Sequence, residues 1–239
     1  MKRVAVFCFS VVAMFSAVSA SADILSTYGD VSVVTGPNSD PAWLITSSPA
    51  ISPGYGGLEL QITNTLTPDG LTNLLADYFT TAGTFDNGAP RFTLFDGGGN
   101  AAYIYWGDPQ PGGSFTDPNS GATDFNTTGN LADASSSDLR VESNGFGGLQ
   151  TGPYPYITYQ TFLNDVGTTD LSYITLDLDG GYSPPGQQME VQNFTVNDTV
   201  YNPSPIPEPR YQALIGLLIL ASVCISRRLW PPAKESQKS

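Results

Sequence analysis

YITLDL at residues 173–178 and MEVQNFTV at 189–196, with Asp179-Gly180-Gly181 after the first, carry the pattern that decides the fold of this 239-residue chain. In the first run Ile174, Leu176 and Leu178 fall on one side, and Thr175 and Asp177 on the other. Successive side chains of a strand point to opposite faces, so a run of this kind is a strand with one buried and one wet face. In the second run Met189 and Val191 keep the same alternation. Phe194 and Val196 resume it one residue out of phase, which predicts a β-bulge near Asn193.

Working outward, runs of the same type stand at residues 31–35, 58–63, 91–95, 102–106 and 156–162, separated by Gly, Pro, Asn and Asp clusters. Seven such runs predict a mainly β protein, a β-sandwich. No repeat of 20–50 residues is evident. Residues 68–80 break the rhythm: Leu71, Leu74, Leu75, Tyr78 and Phe79 fall at i, i+3, i+4, i+7 and i+8. That spacing predicts one short amphipathic helix, capped by Thr67 or Asp69. Residues 107–138 read as long loops poor in large apolar residues, and loops on a rigid sandwich are where binding usually resides.

The two ends carry an address. Lys2 and Arg3, an apolar run at 4–18 and Ala20-Ser21-Ala22 form the three parts of a secretory signal peptide, residues 1–22, with cleavage between Ala22 and Asp23. The exported domain is then 23–201. Residues 202–209 are a spacer: four prolines between Pro203 and Pro209 remove backbone donors and hold the chain extended. From Tyr211 to Trp230 there are 20 predominantly apolar residues, about 30 Å as a helix, enough to span a bilayer. Arg227 and Arg228 follow the apolar run, so the membrane helix at 210–230 points its end, with the tail 231–239, into the cytoplasm.

Pro207-Glu208-Pro209, an apolar helix and the pair Arg227-Arg228 in that order resemble the sorting tail of PEP-CTERM proteins. The resemblance covers residues 207–228 and implies recognition by an integral-membrane, transpeptidase-like exosortase in a bacterium that makes exopolysaccharide. Such tails usually stop soon after the arginines, whereas this chain continues from Leu229 to Ser239. An ordinary anchor that stays in place is the alternative. The final strands also resemble those of jelly-roll modules that bind carbohydrate, and those of many central domains of PEP-CTERM proteins.

Composition narrows the chemistry. Between residues 23 and 205 there are 20 acidic residues against Arg91 and Arg140, so the exported part carries 2 − 20 = −18. Nucleic acid and anionic membrane surfaces are disfavoured as partners. Its two cysteines, Cys8 and Cys224, lie in the signal and the tail. Neither a disulfide framework nor a zinc-thiolate site can form in the domain. With no histidine in the chain and no lysine in 23–205, Ser-His-Asp triads, histidine-ligated metals and Schiff bases are excluded there. No phosphate-binding glycine motif occurs.

Three options remain. A glycosidase needs two carboxylates, and the domain has only Glu59, Glu142 and Glu190, each alone on the outward side of a strand. Structural calcium could use Asp177 and Asp179, which share a side of their strand, or Asp96 in a Gly-rich loop, though no EF-hand spacing is present. Sugar faces stack on flat rings, for which Tyr154, Tyr156 and Trp106 are the candidates. The expectation is thus an exported structural or adhesive surface protein, held by the membrane through 210–230 and cut by an exosortase-like enzyme, with no catalytic residues and no cofactor. A carbohydrate-binding module for exopolysaccharide is the alternative, and a glycoside hydrolase the third.

Overall fold

The computed structural model describes residues 23–47, 55–83, 90–107, 122–152, 156–179 and 187–204. The expected signal peptide with Ala22, the sorting residues Pro207, Glu208, Pro209, Arg227 and Arg228, the membrane helix and Tyr154 lie outside them. Among the described residues no helix is long and apolar enough to cross a membrane.

In chain order the elements are β1 (Ile24–Tyr28), β2 (Asp30–Thr35), β3 (Pro41–Ser47), β4 (Tyr55–Gln61), β5 (Leu74–Ala82), β6 (Arg91–Asp96) and β7 (Ala101–Trp106). Then come β8 (Asn126–Thr127), β9 (Leu139–Asn144), β10 (Ile157–Thr158), α1 (Tyr159–Val166), β11 (Leu171–Asp179), β12 (Gln187–Val196) and β13 (Thr199–Tyr201). They form two antiparallel sheets. A seven-stranded sheet runs β1-β4-β11-β6-β7-β9-β10, and a second runs β2-β3-β12-β5-β8 with β13 paired to β12. The fold is mainly β, two sheets deep, as the alternation predicts.

Period-two alternation explains the core. In the first sheet Leu58, Leu176, Phe92, Ile104 and Val141 are cross-strand partners in one row, and each is fully buried. Ile45, Leu74, Ala76, Tyr78, Met189, Val191 and Phe194 face them from the second sheet. Phe92 and Phe194 stack across the gap with ring centroids 5.8 Å apart. The bulge lies where the phase slip puts it: the β12–β5 register shifts between Gln192 and Thr195, and Asn193 has φ 51°. A left-handed residue there suits Asn, and its amide is held by donation to the Asp77 carboxylate at 2.7 Å.

Two assignments are corrected. The helix expected at 68–80 is a single 3₁₀ turn, Pro68–Gly70, followed by strand β5. LLADYF satisfies both periods, and tertiary partners decide between them. Asn197 Oδ1 takes the N–H of Thr72, Asn130 Oδ1 that of Leu74 and Thr128 Oγ1 that of Ala76, donors a helix would need internally. Leu74, Ala76 and Tyr78 then alternate inward. Conversely, the expected strand at 156–162 is only β10 followed by α1. Thr158 caps α1 by accepting from the Thr161 N–H at 3.1 Å, and Tyr159, Phe162 and Val166 are its buried face.

Because Phe92 and Phe194 lock the sheets together, Phe92→Ala is expected to lower stability by about 3–5 kcal/mol in urea unfolding. A loss below about 1 kcal/mol would mean that the two sheets do not share this core.

Candidate functional site

The alternation that buries one face of the seven-stranded sheet loads the other with polar and aromatic residues. One row across it reads Ser26, Glu59, Thr175, Thr93, Tyr103 and Glu142, each paired with the next. Two residues along, Tyr28, Gly57, Asp177 and Arg91 form a second row. On the other side Gln61, Tyr173 and Phe95 form a third. From these rows Tyr28, Glu59, Arg91, Thr93, Phe95, Tyr103, Tyr173, Thr175 and Asp177, together with Tyr55, line an open groove of about 520 Å³, within the range typical of small-ligand sites.

Its floor is polar yet shielded from water. Thr93, Thr175 and Asp177 are 0%, 3% and 6% exposed although they face outward. Both threonine hydroxyls donate to Asp177 Oδ2, at 2.5 and 2.8 Å. Arg91 Nε lies 3.8 Å from the same oxygen, so the buried carboxylate is both hydrogen-bonded and charge-paired.

The walls are aromatic. Phe95 and Tyr173 stack at 4.2 Å between centroids, Tyr28 and Tyr55 meet edge-on at 6.0 Å, and the Arg91 guanidinium sits 4.7 Å above the Tyr103 ring. Tyr55 remains 45% exposed. Gly57 makes the Tyr28 end possible: a Cβ there would lie 2.6 Å from the Tyr28 hydroxyl and 2.3 Å from the Leu176 carbonyl oxygen. Glycine thus lets a tyrosine from the edge strand lie across its neighbour. Burial raises the Tyr173 hydroxyl above its ordinary range, with Glu59 adding to the effect, so it remains a neutral phenol.

Of the rings singled out in the sequence, Trp106 and Tyr156 are among the described residues, and packing takes up both. Trp106 is half-buried, packs against the core and stands over Gly129, with its indole N–H buried and without a hydrogen-bond partner among the described residues. Tyr156 instead helps bury Arg140, whose guanidinium lies 4.6 Å from its ring and 4.1 Å from that of Tyr105. Tyr105 donates to Glu142 at 3.3 Å. Thus the two arginines of the domain each lie against tyrosine on the same sheet face.

The calcium candidates separate as well. Asp96 pairs with Leu171 and Asp177 with Arg91, near opposite ends of the β6–β11 ladder and roughly 20 Å apart. Asp96 accepts from the N–H groups of Gly98, Asn100 and Gly147 and from the Asn100 amide. Partial desolvation alone would raise its carboxyl, but these bonds hold it below the usual range, as befits the organiser of a tight loop. Asp179 pairs with Tyr55 at the end of β11. Among the described residues no three acidic side chains converge as a cation site requires. Asp23, the expected first residue after cleavage, accepts from the Thr63 N–H and hydroxyl at 2.8 and 2.9 Å.

The three glutamates are dispersed. Glu59 lines the groove, and Glu142 lies four strands away in the same row, about 19 Å by strand spacing. Glu190 is on the other sheet, between Leu44 and Phe79. Retaining and inverting glycosidases hold their carboxyls about 5–10 Å apart, which no two of these glutamates satisfy.

No protein-family model matches the chain, and no curated protein matches it. Among solved structures it is similar to an exo-β-agarase, at TM-score 0.32 and 10% identity, over 76% of this chain and 23% of that one. The chain therefore spans less than a quarter of that protein's length, and a likeness of this size carries no argument about chemistry.

Desolvation holds the Glu190 carboxyl above its ordinary range, and its Oε2 is buried without a hydrogen-bond partner among the described residues. The folded chain therefore binds this proton more readily than the unfolded one, and the ionised group costs stability at neutral pH. Glu190→Gln is expected to raise the melting temperature at pH 7, with the gain shrinking as pH falls through the carboxylate range. A gain that persists unchanged at pH 3 would contradict this reading.

Proposed function

We propose that this chain is an exported bacterial surface protein that adheres to polysaccharide through the groove on the outer face of its seven-stranded sheet. The observation that carries the reading is the groove itself: stacked and edge-on rings around a shielded Thr–Asp–Arg floor. Sugar rings have apolar faces that lie on aromatic carbon and hydroxyl edges that need polar partners, for which the lining offers its rings and, beside them, Glu59 and the tyrosine hydroxyls. The jelly-roll likeness of the final strands agrees with it. Export rests on the signal-like residues 1–22, and sorting on Pro207-Glu208-Pro209 with the apolar run and Arg227-Arg228, which an exosortase-like enzyme would process in the membrane.

A hydrolytic reading would need Glu59 and Asp177, which share the groove on adjacent strands. Reducing-sugar release abolished by Glu59→Gln would favour it over binding alone.

Affinity electrophoresis of the full chain through polysaccharide gels tests the binding reading. Retardation is expected, and Tyr103→Ala with Tyr173→Ala is expected to weaken it by at least about tenfold while leaving the melting transition cooperative. Retardation by no polysaccharide, or retention undiminished in the double variant, would remove the groove from the account. For the tail, mass spectrometry of the exported protein should find a carboxyl terminus upstream of Arg227. An intact Ser239 would leave anchoring without processing.

A further inference from the structure

Resting on the reading of the groove as a sugar site, we infer that its ligand is a glycan with free amino groups, whose ammonium sits at the Glu59 carboxylate between the rings of Tyr28 and Tyr173. The reason lies in how the three charges of the lining are paired. Arg91 Nε and Asp177 Oδ2 stand 3.8 Å apart, with the guanidinium over the Tyr103 ring, so these two charges offset each other. Thr93 and Thr175 complete Asp177 from within the floor, and none of these three residues is open to a ligand. Glu59 differs. It is half-buried, and among the described residues no hydrogen bond or ion pair reaches its carboxylate. Arg91 lies two strands across and two residues along from it, roughly 12 Å by strand geometry and beyond the screening length of physiological salt.

The rings complete the site. Tyr28 pairs with Gly57 and lies across it, which puts its ring beside Glu59 along β4. Tyr173 pairs with Gln61, the next outward residue on the other side of Glu59, a diagonal that aromatic side chains span. A carboxylate walled by aromatic carbon is partly withdrawn from water, and a cation is stabilised there by its charge and by the negative faces of the rings. A divalent ion would need several converging oxygens instead, and among the described residues no three acidic side chains converge. A sulfate or uronate would meet the unpaired charge of Glu59 in a strongly acidic domain, and a neutral glycan would leave that charge unanswered. An amino sugar brings both parts: a ring face for the aromatic walls and an ammonium for Glu59.

The test is calorimetric titration of the full chain with a short glucosamine oligosaccharide and with the same oligosaccharide fully N-acetylated, which removes the charge and keeps the sugar. In mildly acidic buffer, where the amines are protonated, the free-amine form is expected to bind at least about tenfold tighter, and to lose that advantage as rising pH deprotonates it. Glu59→Gln should bring the two affinities within about twofold of each other. Asp198→Asn, an equal change of charge on the exposed β12–β13 turn, should leave the ratio as it is. Equal affinities, binding of neither form, or a preference that Asp198→Asn lowers as much as Glu59→Gln would overturn the ammonium site. Polysaccharide retention that still depends on Tyr103 and Tyr173 would then leave the groove a sugar site, whereas loss of all retention would remove the groove as well. A lysine-rich peptide bound more tightly than either oligosaccharide, and released by Glu59→Gln, would give the site to a protein partner and overturn the amino glycan.

Discussion

The register of β11 between β4 and β6 is the constraint on which the rest of the molecule depends. It aligns Leu58, Leu176 and Phe92 in one inward row and Glu59, Thr175 and Thr93 in the outward row beside it. A slip of one residue would exchange the faces, placing Thr175 and Asp177 in the core and Leu176 in water. Core and groove are thus two sides of one hydrogen-bonded ladder. The inward side holds the sheets together through Phe92 on Phe194. The outward side places Thr93, Thr175 and Asp177 within hydrogen-bonding reach of one another.

A carboxylate as enclosed as Asp177 would be costly alone. Two hydroxyls and a guanidinium offset that cost, and the rings that flank the site hold the water back. The domain has only two arginines, and both lie on this sheet face against tyrosine. In so acidic a chain, neutralising one buried acid and bracing a tyrosine cluster are uses for scarce positive charge that repay the positions they occupy structurally. Nothing about them suggests an anion-binding surface.

Much of the fold was legible in the sequence, because strict alternation leaves little freedom. Residues 173–178 and 189–196 are strands facing the core with the side chains assigned to it, down to the bulge at Asn193. Where two periods fit one stretch, local pattern could not decide. LLADYF became a strand because Asn197, Asn130 and Thr128 reach in from distant loops to take its N–H groups. The segment at 156–162 became mostly helix because Thr158 caps it and its apolar residues recur at helical spacing.

The groove was half visible. Thr175 and Asp177 can be read as one outward face, and Tyr103 as an aromatic on a strand, but nothing local says that β6 and β11 are neighbours. Trp106, Tyr156 and Asp96 drew attention by residue type, whereas packing gives Trp106 to the core, Tyr156 to Arg140 and Asp96 to its own loop. The usable signal was aromatic and hydroxyl residues at outward parity in central strands, as in Arg91-Phe92-Thr93-Leu94-Phe95, instead of at loop tips. The measurement closest to the central claim is NMR chemical-shift mapping during titration with an oligosaccharide. The account predicts shifts confined to Tyr28, Glu59, Thr93, Tyr103, Tyr173 and Thr175. Shifts centred on the opposite sheet around Glu190, or around Trp106 and Tyr156 with these six unmoved, would contradict it.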